Sequence, residues 1–327
     1  MLTRIKSARS PRRWLMAMVG GALFVTAVGC TAGPAGDGDG DPEPDTDVVT
    51  PESPWREDFD SAFDALDPEI QELAVSVEAG ALAGTFAMRA VSSTLVDTGI
   101  LGTHRGGGVN HRLLTRVWNE EEQVYDQQSV LCGGFNFETA GVTTGVEGTD
   151  VYRAVADSTE VVRVDPDSGV LLADGHLQLW GMRDLPEPAT TPLPETIEEA
   201  MESPWVDEYI FDMDDDGEMG ITLYVDGENA AGSAQGVIYA IQRKQVRLTG
   251  VTTSPDRAVG WVETTWESLA LGSEPDLLQY LYLGSATPHP DQDLSWFEII
   301  RVDDGSDCDD VEAFIDSGAF ALDVAPW

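Results

Sequence analysis

The sequence predicts an all-β fold, an antiparallel up-and-down barrel of lipocalin-like form with short flanking helices. Three observations lead there. From Gly80 onward apolar residues recur with a period of two, as in "GTFAMRAV", where Phe86, Met88 and Ala90 alternate with Thr85, Ala87 and Arg89. Gly, Asn and Asp turns separate such runs at antiparallel spacing, and no strand alternates regularly with a crossover helix. Finally, roughly ten runs in one domain favour closure, because a closed sheet has no exposed edge to protect.

Taken in chain order, residues 1–29 read as an export signal. "MLTRIKSARSPRR" is basic and free of acids, and "WLMAMVGGALFVTAV" is apolar but too short to span a bilayer comfortably. It ends in "AVGC", which has the form of a lipobox and makes Cys30 the expected site of lipid attachment. Thr31 stands where many inner-membrane lipoproteins carry aspartate, so a lipid anchor in the outer membrane is the expected address within the cell envelope. Residues 30–54, rich in Gly, Pro and Asp, have almost nothing to bury and predict a disordered acidic tether. Residues 55–79 predict short helices, with Asp67 as N-cap and Pro68 in the first turn.

The β domain is expected over residues 80–302. Its strands are "GTFAMRAV", "HRLLTRVW", "QVYDQQSVL", "DVYRAVA", "TEVVRV", "HLQLWGM", "ITLYV", "GVIYAIQR", "QVRLTGV", "AVGWVETTWESLAL" and "WFEIIRV". "SEPDLLQYLYLG" fits helix and strand equally. A proline-rich loop at residues 184–207, with a helical turn near 195–202, is expected to cross the barrel mouth. Residues 303–327 form a tail with a short helix.

Charge bounds the partners. The chain carries 18 basic and 59 acidic residues, a net charge of −41. The leader takes five of the basic residues and none of the acids, so the remainder stands at −46, a field that repels nucleic acid. With Cys30 lipidated, Cys132 and Cys308 are left as an even pair in an oxidising compartment, and a disulfide is expected between them.

The chemistry-bearing stretch is "DMDDDGEMG". Asp212, Asp214 and Asp216 occupy alternate positions ahead of Gly217, as in the first half of a calcium loop, and Glu218 would add its backbone carbonyl. Against an EF-hand, Leu223 stands where the bidentate glutamate belongs, and strands flank the loop. A structural calcium clip is therefore expected, completed by an acid such as Asp207, Glu208 or Asp226. This loop with Gly220 and Thr222, together with Tyr239, Gln242 and Arg243 in "YAIQR", resembles a group of uncharacterised myxobacterial lipid-anchored proteins. The resemblance covers most of residues 80–312 and implies an exported β-rich lipoprotein; it implies no activity. Met219 and Ile221 replace the proline and valine usual in that group and leave the acids intact.

Other constellations are thin. His104, His111, His176 and His289 lack zinc-hydrolase spacing, and no G-x-S-x-G elbow occurs. "GTHRGGGVNHR" reads as a mobile connection whose His104, Arg105, His111 and Arg112 form a basic spot able to accept an anion. Trp180, Trp261, Trp266 and Trp296 lie in strand-like runs, and Val262, Thr264 and Trp266 would make one wall of an apolar lumen. The expectation is thus a non-enzymatic protein binding a small apolar ligand or an envelope partner. A hydrolase with an unrecognised acid-based site, or a purely structural envelope protein, are the alternatives.

Overall fold

The structure is a computed structural model and describes residues 59–97, 102–134, 136–139, 141–146, 149–229, 232–281 and 284–320. The expected leader, Cys30 and the tether lie outside these residues. Among the described residues, all of which belong to the unit Arg56–Trp327, antiparallel strands dominate. They are β1 (Gly84–Asp97), β2 (Thr103–Asn119), β3 (Val124–Gly133), β4 (Phe137–Thr139), β5 (Val142–Val146), β6 (Ser158–Val164), β7 (Val170–Trp180), β8 (Ile221–Asn229), β9 (Gly232–Ser254), β10 (Arg257–Glu274), β11 (Gly284–Pro288) and β12 (Trp296–Arg301). The helices are α1 (Phe59–Ala65), α2 (Pro68–Gln71), α3 (Thr149–Ala156), α4 (Ile197–Ala200) and α5 (Cys308–Asp316).

All twelve strands belong to one sheet, and its ladders return on themselves. Starting from β1, pairing passes to β2, β3, β6, β7, β9, β10 and β12, which pairs with β1 again. A second circuit runs through β1, β11, β10, β9, β8, β5, β4 and β2. The long strands β1, β2, β9 and β10 serve both circuits, pairing with different neighbours at their two ends. Neighbours are therefore not always consecutive, and β3–β6, β7–β9 and β10–β12 depart from the up-and-down succession the sequence predicts. The cause is the material inserted between them: β4, β5 and α3 in the first case, the proline-rich segment and β8 in the second, and β11 in the third.

Alternation gives the sheet an inner face. Phe86 and Met88 of β1, Leu114, Tyr125, Val162, Leu171, Leu248, Val262, and Phe297 with Ile299 of β12 form one buried cluster, with every strand of the first circuit represented. Each such side chain contributes about 1.5–3 kcal/mol by leaving water. A second cluster joins Trp180 to Ile221, Leu223, Val225, Ile238, Ala240 and Ala270 along the second circuit. Val262 and Thr264, expected to wall an open lumen, are both 2 % exposed, and Val262 belongs to the packed cluster.

Several local expectations change. "DVYRAVA" forms helix α3 instead of a strand, because Val151, Tyr152 and Val155 recur at helical spacing and pack on the second cluster. "GTHRGGGVNHR" is part of strand β2, not a mobile connection, and pairs along its length with β1. Gly106 in it admits an aromatic ring, since a Cβ there would lie 2.4 Å from Phe137 Cζ. The two runs "GVIYAIQR" and "QVRLTGV" merge into β9, and "SEPDLLQYLYLG" divides into a 3-10 turn, Asp276–Leu281, and the start of β11. The proline-rich segment does not cross an open end. Leu185, Leu193 and Ala200 pack with Ile241 and Leu269, on the face opposite Ala240 and Ala270, and Arg243 donates to the carbonyls of Pro188 and Thr191.

Helices finish the ends. Asp67 caps α2, accepting the Glu69 N–H at 2.7 Å, and Pro68 opens it. Leu82 then turns into the inner cluster, where the Tyr125 hydroxyl accepts its N–H at 3.3 Å. Cys132 of β3 and Cys308 of α5 form a disulfide across 176 residues, and α5 lays Val311, Phe314 and Ile315 against Ala87 and Leu113.

Candidate metal centre

The aspartate loop runs between the π-helical turn Trp205–Tyr209 and β8. Its base is closed by backbone: Met213 N–H donates to Gly220 O at 2.9 Å and Gly220 N–H to Phe211 O at 3.0 Å. Met213 turns inward against the second cluster, with its sulfur 3.2 Å from the Gly181 nitrogen. One apolar anchor in an acidic string thus fixes which way the acids face.

Around that anchor, Asp212, Asp214 and Asp216 bring carboxylate oxygens within 4.8 Å of one another. The backbone orders them. Asp212 accepts the N–H groups of Asp216 at 3.2 Å and Gly217 at 2.8 Å, and Asp216 Oδ1 accepts that of Glu218 at 2.9 Å. Thr222 at the start of β8 binds both remaining acids, its hydroxyl donating to Asp216 Oδ2 at 2.5 Å and its N–H to Asp214 Oδ2 at 3.0 Å. Gly217, at φ +97°, makes the sharp turn that lets the chain fold back over Asp212.

Two observations bear on a cation. Calcium takes oxygens at about 2.3–2.6 Å, so two ligands of one ion stand at most ~5 Å apart, and the triad is within that limit. Asp214 Oδ1 is buried and has no hydrogen-bond partner, which leaves an acceptor turned away from water. Leu223, at the position of the EF-hand glutamate, is 7 % exposed in the apolar cluster, so this is a different frame from an EF-hand. Glu218 is exposed, and its N–H donates to Asp216 Oδ1. Asp226 pairs with Gln235 four residues beyond Thr222, about 13 Å along the strand, which removes it as the completing ligand. Among the described residues the metal-competent group is Asp212, Asp214 and Asp216, without Asp207 or Glu208.

The chain matches no protein-family model, no curated protein and no solved structure.

The other sequence-selected residues disperse. His111 Nδ1 lies 2.8 Å from Glu312 of α5, Arg105 donates to Ser93, and Arg112 turns to the inner face and donates to Ser129 at 2.9 Å. The expected basic spot is therefore split between two faces of one strand. Trp266 meets Phe137 edge-on at 4.7 Å, Trp180 meets Tyr152 at 4.8 Å, and the Arg89 guanidinium stacks over Trp296. A cavity of about 280 Å³ opens beneath α1, lined by Phe59, Val77, Trp118, Tyr125, Val164 and Pro166 among others.

Spacing alone does not mark Thr222 or Met213 as parts of the site. Their signals are the switch from acids to alternation at Ile221, and a lone methionine among aspartates.

Proposed function

We propose that this chain is an exported, lipid-anchored β-barrel protein of the cell envelope, held at the outer membrane through Cys30, with a structural calcium clip and a non-enzymatic binding role. The observation that carries the calcium reading is the triad of carboxylates within 4.8 Å, one of them with a buried oxygen lacking a partner. Held so close, three carboxylates repel one another; a divalent cation bound there would offset the repulsion and tie the loop to the start of β8. Barrel closure is supported by the two circuits of ladders and by an inner cluster drawn from every strand of the first. The anchor is supported by "AVGC" after an apolar leader and by the acidic tether that follows.

For a small apolar ligand, the favoured place is the cleft beneath α1, since the first cluster fills the inner face beside it. Trp118, Val124 and Val164 give that cleft its apolar wall, and Glu78 and Arg163 stand among its polar lining.

Thermal unfolding tests the clip. Calcium at saturating concentration is expected to raise the melting temperature of the wild-type chain relative to chelator, and Asp212→Ala with Asp214→Ala to abolish the difference. A wild-type melt that is identical in calcium and in chelator removes the site.

A further inference from the structure

The inner-face positions of β9 read Ile238, Ala240, Gln242, Lys244, Val246 and Leu248. Lys244 and Lys6 are the two lysines of the chain, and Lys244 shares a face with the apolar core. Register places Gln178 of β7 on one side of it and Trp266 of β10 on the other. Arg112 of β2, a strand that does not pair with β9, comes near enough across the enclosed space for its charge to bear on the ammonium.

Four features of this arrangement point to a ligand. Lys244 has no hydrogen-bond or ion-pair partner among the described residues, and its resolved charged neighbour is another cation. Among the described residues the carboxylate on this part of the inner face, Glu160, is committed elsewhere: it accepts from Gln127 at 2.5 Å and faces Arg112 and Arg116. Gln178 is 2 % exposed with its Oε1 unpartnered, and Trp180, 4 % exposed on the same face, has an unpartnered Nε1. Lys244 itself keeps part of its accessible surface, as do Gln242, Val246 and Trp266 around it, so this stretch borders open space. Partial withdrawal from water without a counter-charge is unfavourable for an ammonium. Withdrawal from water, with Arg112 adding to it, lowers its pKa to about 8.

We propose that this stretch of the inner face binds a small aromatic carboxylate, the anionic head on Lys244 and on the Gln178 amide turned to present its NH2, and the body against Trp266 and Val246. A monoanion matches the charge of Lys244; Arg112 has Ser129 and shares the charge of Glu160 with Arg116, which donates to Gln127. Trp266, braced edge-on by Phe137, offers a fixed apolar wall to the ring. The inference rests on closure of the ladders and is independent of the calcium clip and of the cleft beneath α1.

The test uses the chain from Cys30 onward, in which Lys244 is the one lysine, in non-ionic detergent and labelled with ¹³C at the lysine ε-carbon. Benzoate is the probe, with sodium chloride and inorganic phosphate as controls. Benzoate is expected to shift the Lys244 signal saturably. Followed by tryptophan fluorescence, Lys244→Met is expected to weaken benzoate at least about tenfold, the loss of one charge-assisted hydrogen bond. Gln178→Leu, which keeps the lysine, is expected to weaken it less. An absent or non-saturating shift overturns the proposal. So do an equal response to chloride, preference for phosphate over benzoate, or undiminished binding in Lys244→Met.

Discussion

Glu298 has no accessible surface, yet its carboxylate lies on the face of β12 opposite Phe297 and Ile299, ion-paired with Arg257 and across the ladder from Arg89. A buried carboxylate tied to arginines on neighbouring strands is costly to remove, because the cations remain. Glu298→Ala is expected to destabilise the chain by about 3–5 kcal/mol in urea unfolding, and a loss under about 1 kcal/mol would contradict this reading of the pair. The alternation of "WFEIIR" indicates which way Glu298 points, but not that it is covered. Its burial depends on register with β1 and β10, strands far away in sequence. The aspartate loop is the opposite case. Its ligand spacing is legible in residues 212–217 alone, because one turn of chain sets the distances.

At the scale of elements, the sequence is informative wherever one face is apolar and the other polar. Strands β1, β7, β8 and β12 follow from period-two runs, and α2 from its Asp67-Pro68 start. Helix α3 is hidden by its composition: Val, Tyr and Val favour strand, and only the second cluster, assembled from β5, β7, β8, β9 and β10, makes the helical face worth burying. The glycines of β2 mislead in the same way, since Gly106 is required by Phe137 and Gly108 by the Asn136 carbonyl. Helix α5 is held by two devices, the Cys132–Cys308 disulfide and the capping box at Asp307, and it covers the outer side of β1 and β2. Replacing both cysteines by serine is expected to lower the free energy of unfolding by about 2–5 kcal/mol, given the length of chain the bridge closes. Chemical denaturation of the double variant checks this; unchanged stability would mean that α5 is held by packing alone.

For the whole molecule, charge and topology act together. A net charge of −41 attracts cations everywhere on the surface, so calcium association by itself says little. What distinguishes a built centre is persistence when the diffuse field is screened: at about 1 M salt the Debye length is ~3 Å, and only ligands in direct contact with the ion still count. The overall balance of charge is plain in the sequence, as is the dominance of strands. The two circuits are not, because β1, β2, β9 and β10 each change partners part-way, and no local pattern records where. The aspartate loop immediately precedes β8, the strand that joins β9 to β5, so a cation bound there would tie the loop to the second circuit. Calorimetric titration of the full chain with calcium in about 1 M sodium chloride tests this account most directly. It predicts saturable binding of one ion per chain that disappears in Asp212→Asn with Asp214→Asn, whereas no saturable heat in the wild type, or the same heat in the variant, would contradict it.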